Sequence, residues 1–377
     1  MKLLFLNGSR GEWGYIRPII DLCKQQGIDY SICATNMLLL PNHGMLVDEI
    51  RNDGYNICDE IFMSLEGHNH FTMVKSLGVF LTSFIDTIRR EKPDWIILAG
   101  DRGEMLMGAI AASYTYTPVA HIQAGERSGN IDGVARHAIG KFVHLHFAAN
   151  QDATDRLHRL GEEPFRVHNV GAPQLDELVQ YEIPEIMNFG SKLNFPAEKP
   201  FLLVVQHPVT EEMNEATKQV KVLIKALSAF DYNKIWILPN NDAGSQSVRR
   251  TLLQNRSSDT YIFDNLSRVN YLGLLKYCEA IVGNSSSGLL EAPTFSTPAV
   301  NLGRRQADRV QGANVINAEF IEKDIREAIC RAISTKFKDE IANCQNPYGD
   351  GKSSERIIRI LLQIPIDDNL LVKKITY

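Results

Sequence analysis

The sequence predicts an α/β protein made of two doubly wound parallel-sheet domains. Three observations carry that prediction. Short apolar runs rich in Ile, Val, Leu and Phe alternate with longer stretches of helical spacing, the pattern of βαβ units whose sheets are covered on both faces. The runs fall into two sets, parted by a Pro-rich stretch without periodicity. The length, 377 residues, suits two domains at about 150 residues each.

In chain order, the runs of the first set are Leu3 to Leu6, Tyr30 to Cys33, Trp95 to Leu98, Val119 to Ile122 and Leu145 to Ala148. Those of the second are Phe201 to Val205, Ile235 to Leu238, Tyr261 to Phe263, Ala280 to Val282 and Ala299 to Asn301. Helices are expected between them, for example over Phe71 to Arg90 and Thr217 to Phe230. Pro173, Pro184, Pro196 and Pro200 punctuate the stretch between the sets, so the domains are placed at 1–175 and 176–377. Ile357, Ile358, Leu361 and Leu362 recur at helical spacing within Ser353 to Ile364, a segment free to pack on either domain.

Composition removes several classes of function. With 40 basic and 45 acidic residues the net charge is −5, which offers no broad positive field for nucleic acid or anionic lipid. Any anion must then meet Arg, His or backbone N–H groups placed locally. Six scattered cysteines without a CxxC pair read as reduced thiols. Four apolar residues, Leu3 to Leu6, are too few for a signal-peptide core, and no segment is expected to reach the ~18 apolar residues of a membrane span. A cytoplasmic location is the expectation.

In open α/β sheets ligands bind beyond the carboxyl ends of the strands, where loops present backbone donors and helix N-termini. The runs here end in Gly8-Ser9-Arg10, Gly100-Asp101-Arg102, His121-Ile122-Gln123-Ala124-Gly125-Glu126, Gln206-His207-Pro208, Pro239-Asn240-Asn241-Asp242 and Gly283-Asn284-Ser285-Ser286-Ser287-Gly288. One such loop is an ordinary helix cap. Six on two domains predict a polar cleft shared by both.

Within that set, Gly283 to Gly288 is the expected anion site, because hydroxyls and glycines opening a helix offer unpaired N–H groups at the positive end of its dipole. Arg10, Arg102 and Arg305 supply charge from other strand ends. Neither GxxxxGK[ST] nor GxGxxG occurs, so NTP hydrolysis and NAD binding lack support, and no cofactor is expected. Asp101, Glu126 and Asp132 are the carboxylates nearest these loops; singly each reads as a cap or surface ion pair, together they shift one another's proton affinity and divide acid from base roles. The histidine pairs His68/His70 and His144/His146 lack a completing ligand set, and no metal is expected. His207 lies at a strand end, where a cation would help neutralise a diphosphate.

At these residues the chain resembles the hydrolysing UDP-N-acetylglucosamine 2-epimerases that open sialic and legionaminic acid biosynthesis. The matching motifs are Gly8-Ser9-Arg10-Gly11-Glu12, Gly100-Asp101-Arg102, His121-Ile122-x-x-Gly125-Glu126, Ile131-Asp132, Arg136-His137-Ala138-Ile139, Gln206-His207-Pro208, Pro239-Asn240-x-Asp242, Gly283-Asn284-Ser285-Ser286-x-Gly288 and Asn301-Leu302-Gly303-x-Arg305. They span residues 8 to about 310 in order. The resemblance implies two Rossmann-like domains facing across a cleft, as in GT-B glycosyltransferases, and assembly as a homodimer or higher oligomer. It places nucleotide contacts on Arg10, His207, Ser285, Ser286, Glu291 and Arg305, and catalytic acids on Asp101 and Asp132. A third acidic position of the family is Gln123 here, which cannot exchange a proton at neutral pH. Either Glu126 takes over that work, or the residue at 123 positions substrate. The reaction implied converts a UDP-amino sugar and water to the free 2-epimer and UDP. A GT-B glycosyltransferase using the same donor is the alternative enzyme, and a non-catalytic nucleotide-sugar sensor the alternative class.

Overall fold

A computed structural model describes residues 1–376 except 42–43, 67–69, 128–130, 181–182, 187–189, 191–192, 240–243 and 265. The chain divides into two compact units, Met1–Glu177 with Tyr348–Tyr377, and Leu178–Pro347.

The first unit holds seven strands: β1 (Lys2–Asn7), β2 (Asp29–Thr35), β3 (Ile57–Ile61), β4 (Trp95–Ala99), β5 (Val119–Ala124), β6 (Leu145–Ala148) and β7 (Val167–Asn169). They form one parallel sheet in the order β3-β2-β1-β4-β5-β6-β7. The helices used below are α1 (Arg10–Gln26), α2 (Leu46–Asn52), α3 (His70–Glu91), α4 (Gly103–Tyr114), α5 (Ile131–Phe142) and α6 (Gln151–Arg159). On one face, Leu3, Phe5, Ile97 and Ile122 pack with Ile16, Ile19 and Ile20 of α1. On the other, Leu4, Leu6, Ile96 and Leu98 meet Phe80 and Phe84 of α3 and Met105 and Ala109 of α4. Strands buried on both faces have no polar side, which is why they read as unbroken apolar runs.

The second unit repeats the winding with β8 (Phe201–Val205), β9 (Asn233–Ile237), β10 (Thr260–Phe263), β11 (Ala280–Gly283), β12 (Ala299–Leu302) and β13 (Val315–Ala318), ordered β10-β9-β8-β11-β12-β13 and parallel throughout. In both sheets the strand order reverses beside the first strand, between β1 and β4 and between β8 and β11. That reversal opens a crevice at the strand ends, the place where such sheets take their ligands.

Three results depart from the sequence reading. Strands β3, β7 and β13 lie at sheet edges and were not expected; an edge strand packs less apolar surface, and Ile57-Cys58-Asp59-Glu60-Ile61 and Val167-His168-Asn169 show no apolar run. The second block does not run to the C-terminus, because the helix Ser353–Gln363 seats Ile357, Ile358 and Leu361 in the core of the first unit with Leu3 and Ile20. Finally, Phe71–Glu91 is, by length and composition, apolar enough to cross a membrane. The expectation of no such segment came from counting uninterrupted apolar residues; in the structure Phe80, Phe84 and Ile88 of this helix pack against the first sheet.

Candidate active site

In the first unit, the loops after β1, β4 and β5 carry the expected residues. Ser9 caps α1, its hydroxyl accepting from the Glu12 N–H at 3.3 Å. Arg10 follows as the first helical residue, exposed, with a guanidinium nitrogen 3.8 Å from Glu49 of α2. Glu12 is folded back and buried, accepting from the Gly8 N–H at 2.6 Å. After β4, Asp101 receives a hydrogen bond from Nη2 of Arg136 on α5. The same guanidinium donates through Nη1 to the carbonyl of Gln123. Arg136 thereby ties the β4 end to the β5 end. His121 does the same one residue row lower, its Nε2 lying 2.6 Å from the Gly100 carbonyl. Burial pushes that imidazole down to about 3, so it is a neutral strut.

Gln123 sits at an irregularity in the β5–β6 register and has a φ of 63°. Such a backbone is uncommon outside glycine and marks a locally constrained segment. Its side chain is buried and reaches Gln174 at 3.4 Å. Glu126 is buried as well, accepting from Asn150 Nδ2 at 3.1 Å, while Asn150 Oδ1 caps α6. Arg102 precedes α4 and points its Nε at Glu104, 3.1 Å away. The side chain of Asp132 and residues Asn240 and Asp242 lie outside the described residues, as does His68.

In the second unit the strand ends of β8 and β11 are joined through Asn284, which is fully buried. Its Oδ1 accepts from the His207 N–H at 2.7 Å and its Nδ2 donates to the His207 carbonyl at 2.8 Å. Its own carbonyl accepts from Arg305 Nη1 at 3.2 Å and Gln306 Nε2 at 3.0 Å. Gly283, with a φ of 134°, allows this approach: a Cβ there would stand 2.2 Å from the Val205 carbonyl oxygen. Ser285 accepts from the Ser287 N–H at 3.3 Å, and Ser286 precedes the helix Ser287–Leu290 without a capping bond from its side chain. Glu291 is held by Arg268 at 2.5 Å and by the Ser287 hydroxyl.

Two expectations need correction here. The helix after Ser286 has four residues, so its backbone N–H groups matter and a long macrodipole does not. His207 is no cation, since burial and then Arg305 push it down to about 3. A neutral imidazole can still donate or accept a hydrogen bond.

Sequence reasoning assigned no role to Arg136, Glu104, Asn284, Gln306 or Arg268. One signal was available for Glu12, since Ser9-x-x-Glu12 is the capping-box spacing. Arg136 and Asn284 stand within the matching motifs, but their partners lie across loops far apart in sequence, so the motifs do not disclose what they do.

Two parallel sheets of one winding order, each with a polar set at its switch point, define a GT-B-like α/β protein. A model of the family described as UDP-N-acetylglucosamine 2-epimerase matches residues 21–362, and the chain belongs to this family of enzymes. A hydrolysing UDP-N,N'-diacetylbacillosamine 2-epimerase of Legionella pneumophila is 36% identical over 374 residues, covering 99% of this chain and 98% of its own. A hydrolysing GDP/UDP-N,N'-diacetylbacillosamine 2-epimerase of Campylobacter jejuni is 32% identical over 384 residues, covering 99% and 98% respectively. Among solved structures, the UDP-GlcNAc 2-epimerase of Neisseria meningitidis bound to UDP-GlcNAc superposes with a TM-score of 0.84 at 19% identity, covering 97% of this chain and all of that one, a likeness of fold.

Proposed function

We propose that the chain is a hydrolysing 2-epimerase that turns a UDP-2-acetamido sugar and water into the free 2-epimer and UDP, with a 2,4-diacetamido sugar as its substrate. The observation that carries the reading is the division of labour between switch points. Asp101, fixed by Arg136, stands at the end of β4, and the Asn284 hub with Ser285, Ser286 and Arg305 stands at the end of β11. The choice of sugar rests on the Legionella and Campylobacter relatives, both named for diacetylbacillosamine.

The chemistry dictates an order of events. A C2–H with no neighbouring carbonyl is a very weak acid, so the C1–O bond to UDP breaks first. Arg305 and the N–H groups of Ser285 and Ser286 stabilise the departing diphosphate. As positive charge develops at C1, Asp101 takes the C2 proton, leaving a 2-acetamidoglucal. Return of a proton to C2 from the opposite face and addition of water at C1 then give the inverted free sugar. Gln123 holds substrate and transfers no proton.

The test is product analysis in deuterium oxide with UDP-N,N'-diacetylbacillosamine and UDP-N-acetylglucosamine supplied separately. Release of UDP with no acceptor present, and deuterium at C2 of the free epimer, are expected. UDP release that requires an acceptor would make the chain a glycosyltransferase, and a product without deuterium would remove elimination from the mechanism.

A further inference from the structure

Behind the β1 and β4 strand ends two carboxyl groups converge on one glycine. Glu12 Oε2 accepts from the Gly8 N–H at 2.6 Å. On the other side, a Cβ built on Gly8 would lie 2.3 Å from Glu104 Oε1 and 3.0 Å from its Cδ. Any side chain at position 8 would therefore push the Glu104 carboxyl away from its present place. Both are 2% exposed. Glu104 is well supplied with donors, Arg102 Nε at 3.1 Å and Asn36 Nδ2 at 2.8 Å. Glu12 is not: its Oε1 is buried without a hydrogen-bond partner. Two carboxylates cannot share such a space fully ionised, because burial penalises each charge and each repels the other.

We propose that Glu12 and Glu104 are a buried carboxyl pair that positions the β1 and β4 strand-end loops, with Glu12 holding its proton. The pair holds Gly8, two residues before Arg10, and Arg102, next to Asp101, so the inference rests on the functional reading above for its consequence and on geometry for its existence. Burial, and after it the charge of Glu104, push Glu12 well above the usual carboxylate range, while Arg102 pulls the other way. Glu104 on α4 and Arg102 on the loop before it are the charged groups facing Glu12, with Gly8 and Ser9 of its own loop as hydrogen-bond donors. With the proton in place, Gly8 is clamped between a neutral and an ionised carboxyl, and Arg102 is aimed by Glu104. When the proton leaves as pH rises, a second negative charge appears in a buried site and the two loops separate. Glu12 and Glu104 are positioning residues; neither needs to touch substrate.

Two measurements on the full-length protein test this. Infrared difference spectroscopy of wild type against Glu12→Gln should show a protonated carboxyl band that disappears in the variant, and this readout is independent of any substrate. The fall of kcat/KM at high pH should move upward or vanish in Glu12→Gln, since an amide cannot lose the proton. Glu104→Gln supplies a second route should Glu12→Gln fail to fold. Removing the Glu104 charge should let the Glu12 band titrate at lower pH, and KM should rise about tenfold with kcat less affected, because Arg102 loses its anchor. A band that persists in Glu12→Gln, or that keeps its titration in Glu104→Gln, overturns the pair. A band that behaves as expected in a protein that releases no UDP would leave the pair standing and overturn the proposed function instead.

Discussion

The two units wind their strands in the same order, yet they furnish their switch points in opposite ways. Between β1 and β4 the first unit gathers ionisable groups: Glu12 and Glu104 on either side of Gly8, Asp101 against Arg136, Arg102 against Glu104. Between β8 and β11 the second unit builds an amide hub, Asn284, around a His207 that burial keeps neutral. A topology fixes where a ligand can sit; the side chains at that place decide whether it is held or transformed. On the proposed function, the first switch point handles protons and the second grips an anion with neutral donors and one arginine.

The largest expected effect tests the first half of that contrast. Asp101→Asn keeps the size of the side chain and a partner for Arg136 but removes a proton acceptor, so turnover should fall by about 100-fold or more. Affinity for UDP, read by calorimetric titration, should stay within about threefold, since the group lost belongs to the chemical step. Equal loss of both would mean that the first switch point holds nucleotide, and the contrast between units would collapse. Next in size is Asn284→Ala, which strands the buried N–H and carbonyl of His207. Each orphaned group costs about 1–3 kcal/mol, so denaturant unfolding should show a loss of roughly 2–6 kcal/mol. UDP affinity should weaken by about tenfold or more, because the backbone carbonyl of residue 284 that anchors Arg305 and Gln306 is kept but is no longer fixed by the side-chain bonds to His207.

How much of this the sequence discloses follows from the range of each interaction. Strands buried on both faces are legible because their apolar runs are local, and all ten expected runs fall on strands. Three of the four edge strands are not, as Cys58-Asp59-Glu60 within β3 illustrates; β10, also at an edge, is read from its run Tyr261 to Phe263. Strand-end loops are legible too, since Gly followed by polar residues is a contiguous signal: Asp101, His207, Ser285 and Ser286 lie there, and Gln123 lies within β5, one residue before its end. What the pattern could not convey is the charge state of His207, which depends on how deeply the fold buries it. Nor could it show that Arg136, 35 positions from Asp101, is the group that orients it.

The His207 assignment gives a pH test that sharpens the contrast. Its folded pKa of about 3 lies below the ordinary histidine value of 6.5, so its contribution to stability is complete above 6.5 and is lost as pH falls towards 3. Unfolding free energies of wild type and His207→Gln should therefore converge or cross as pH drops through that window. Binding of UDP between pH 6.5 and 8 should carry no histidine titration from this site, and a limb that disappears in His207→Gln would restore the cation.

The smallest effect on turnover is expected at the opposite end of the first sheet. There Lys373 of the C-terminal segment lies 2.5 Å from Glu162 and donates to the Val143 carbonyl at 2.9 Å, while Arg166 holds the Leu370 and Asn369 carbonyls at 2.7 Å each. These groups surround the amino end of β6, away from the strand ends that carry Asp101 and Gln123, so Lys373→Met should change kcat by less than about twofold. Stability is another matter. Burial lowers Lys373 to about 8 from 10.5, only partly offset by Glu162, and against the cost of its own burial Glu162 is drawn down to about 2 by His146 and then Lys373. A lysine whose folded pKa is depressed binds its proton more weakly than the unfolded chain does, so wild-type stability should rise as pH increases from about 8 to 10.5. Lys373→Met lacks that rise, and matched urea titrations across the window should show the wild-type curve climbing relative to the variant. Parallel curves would mean that the ammonium is solvated and the tail is held by Arg166 instead, while a loss of turnover matching the loss of stability would tie the proton-handling switch point to a latch at the far end of its own sheet.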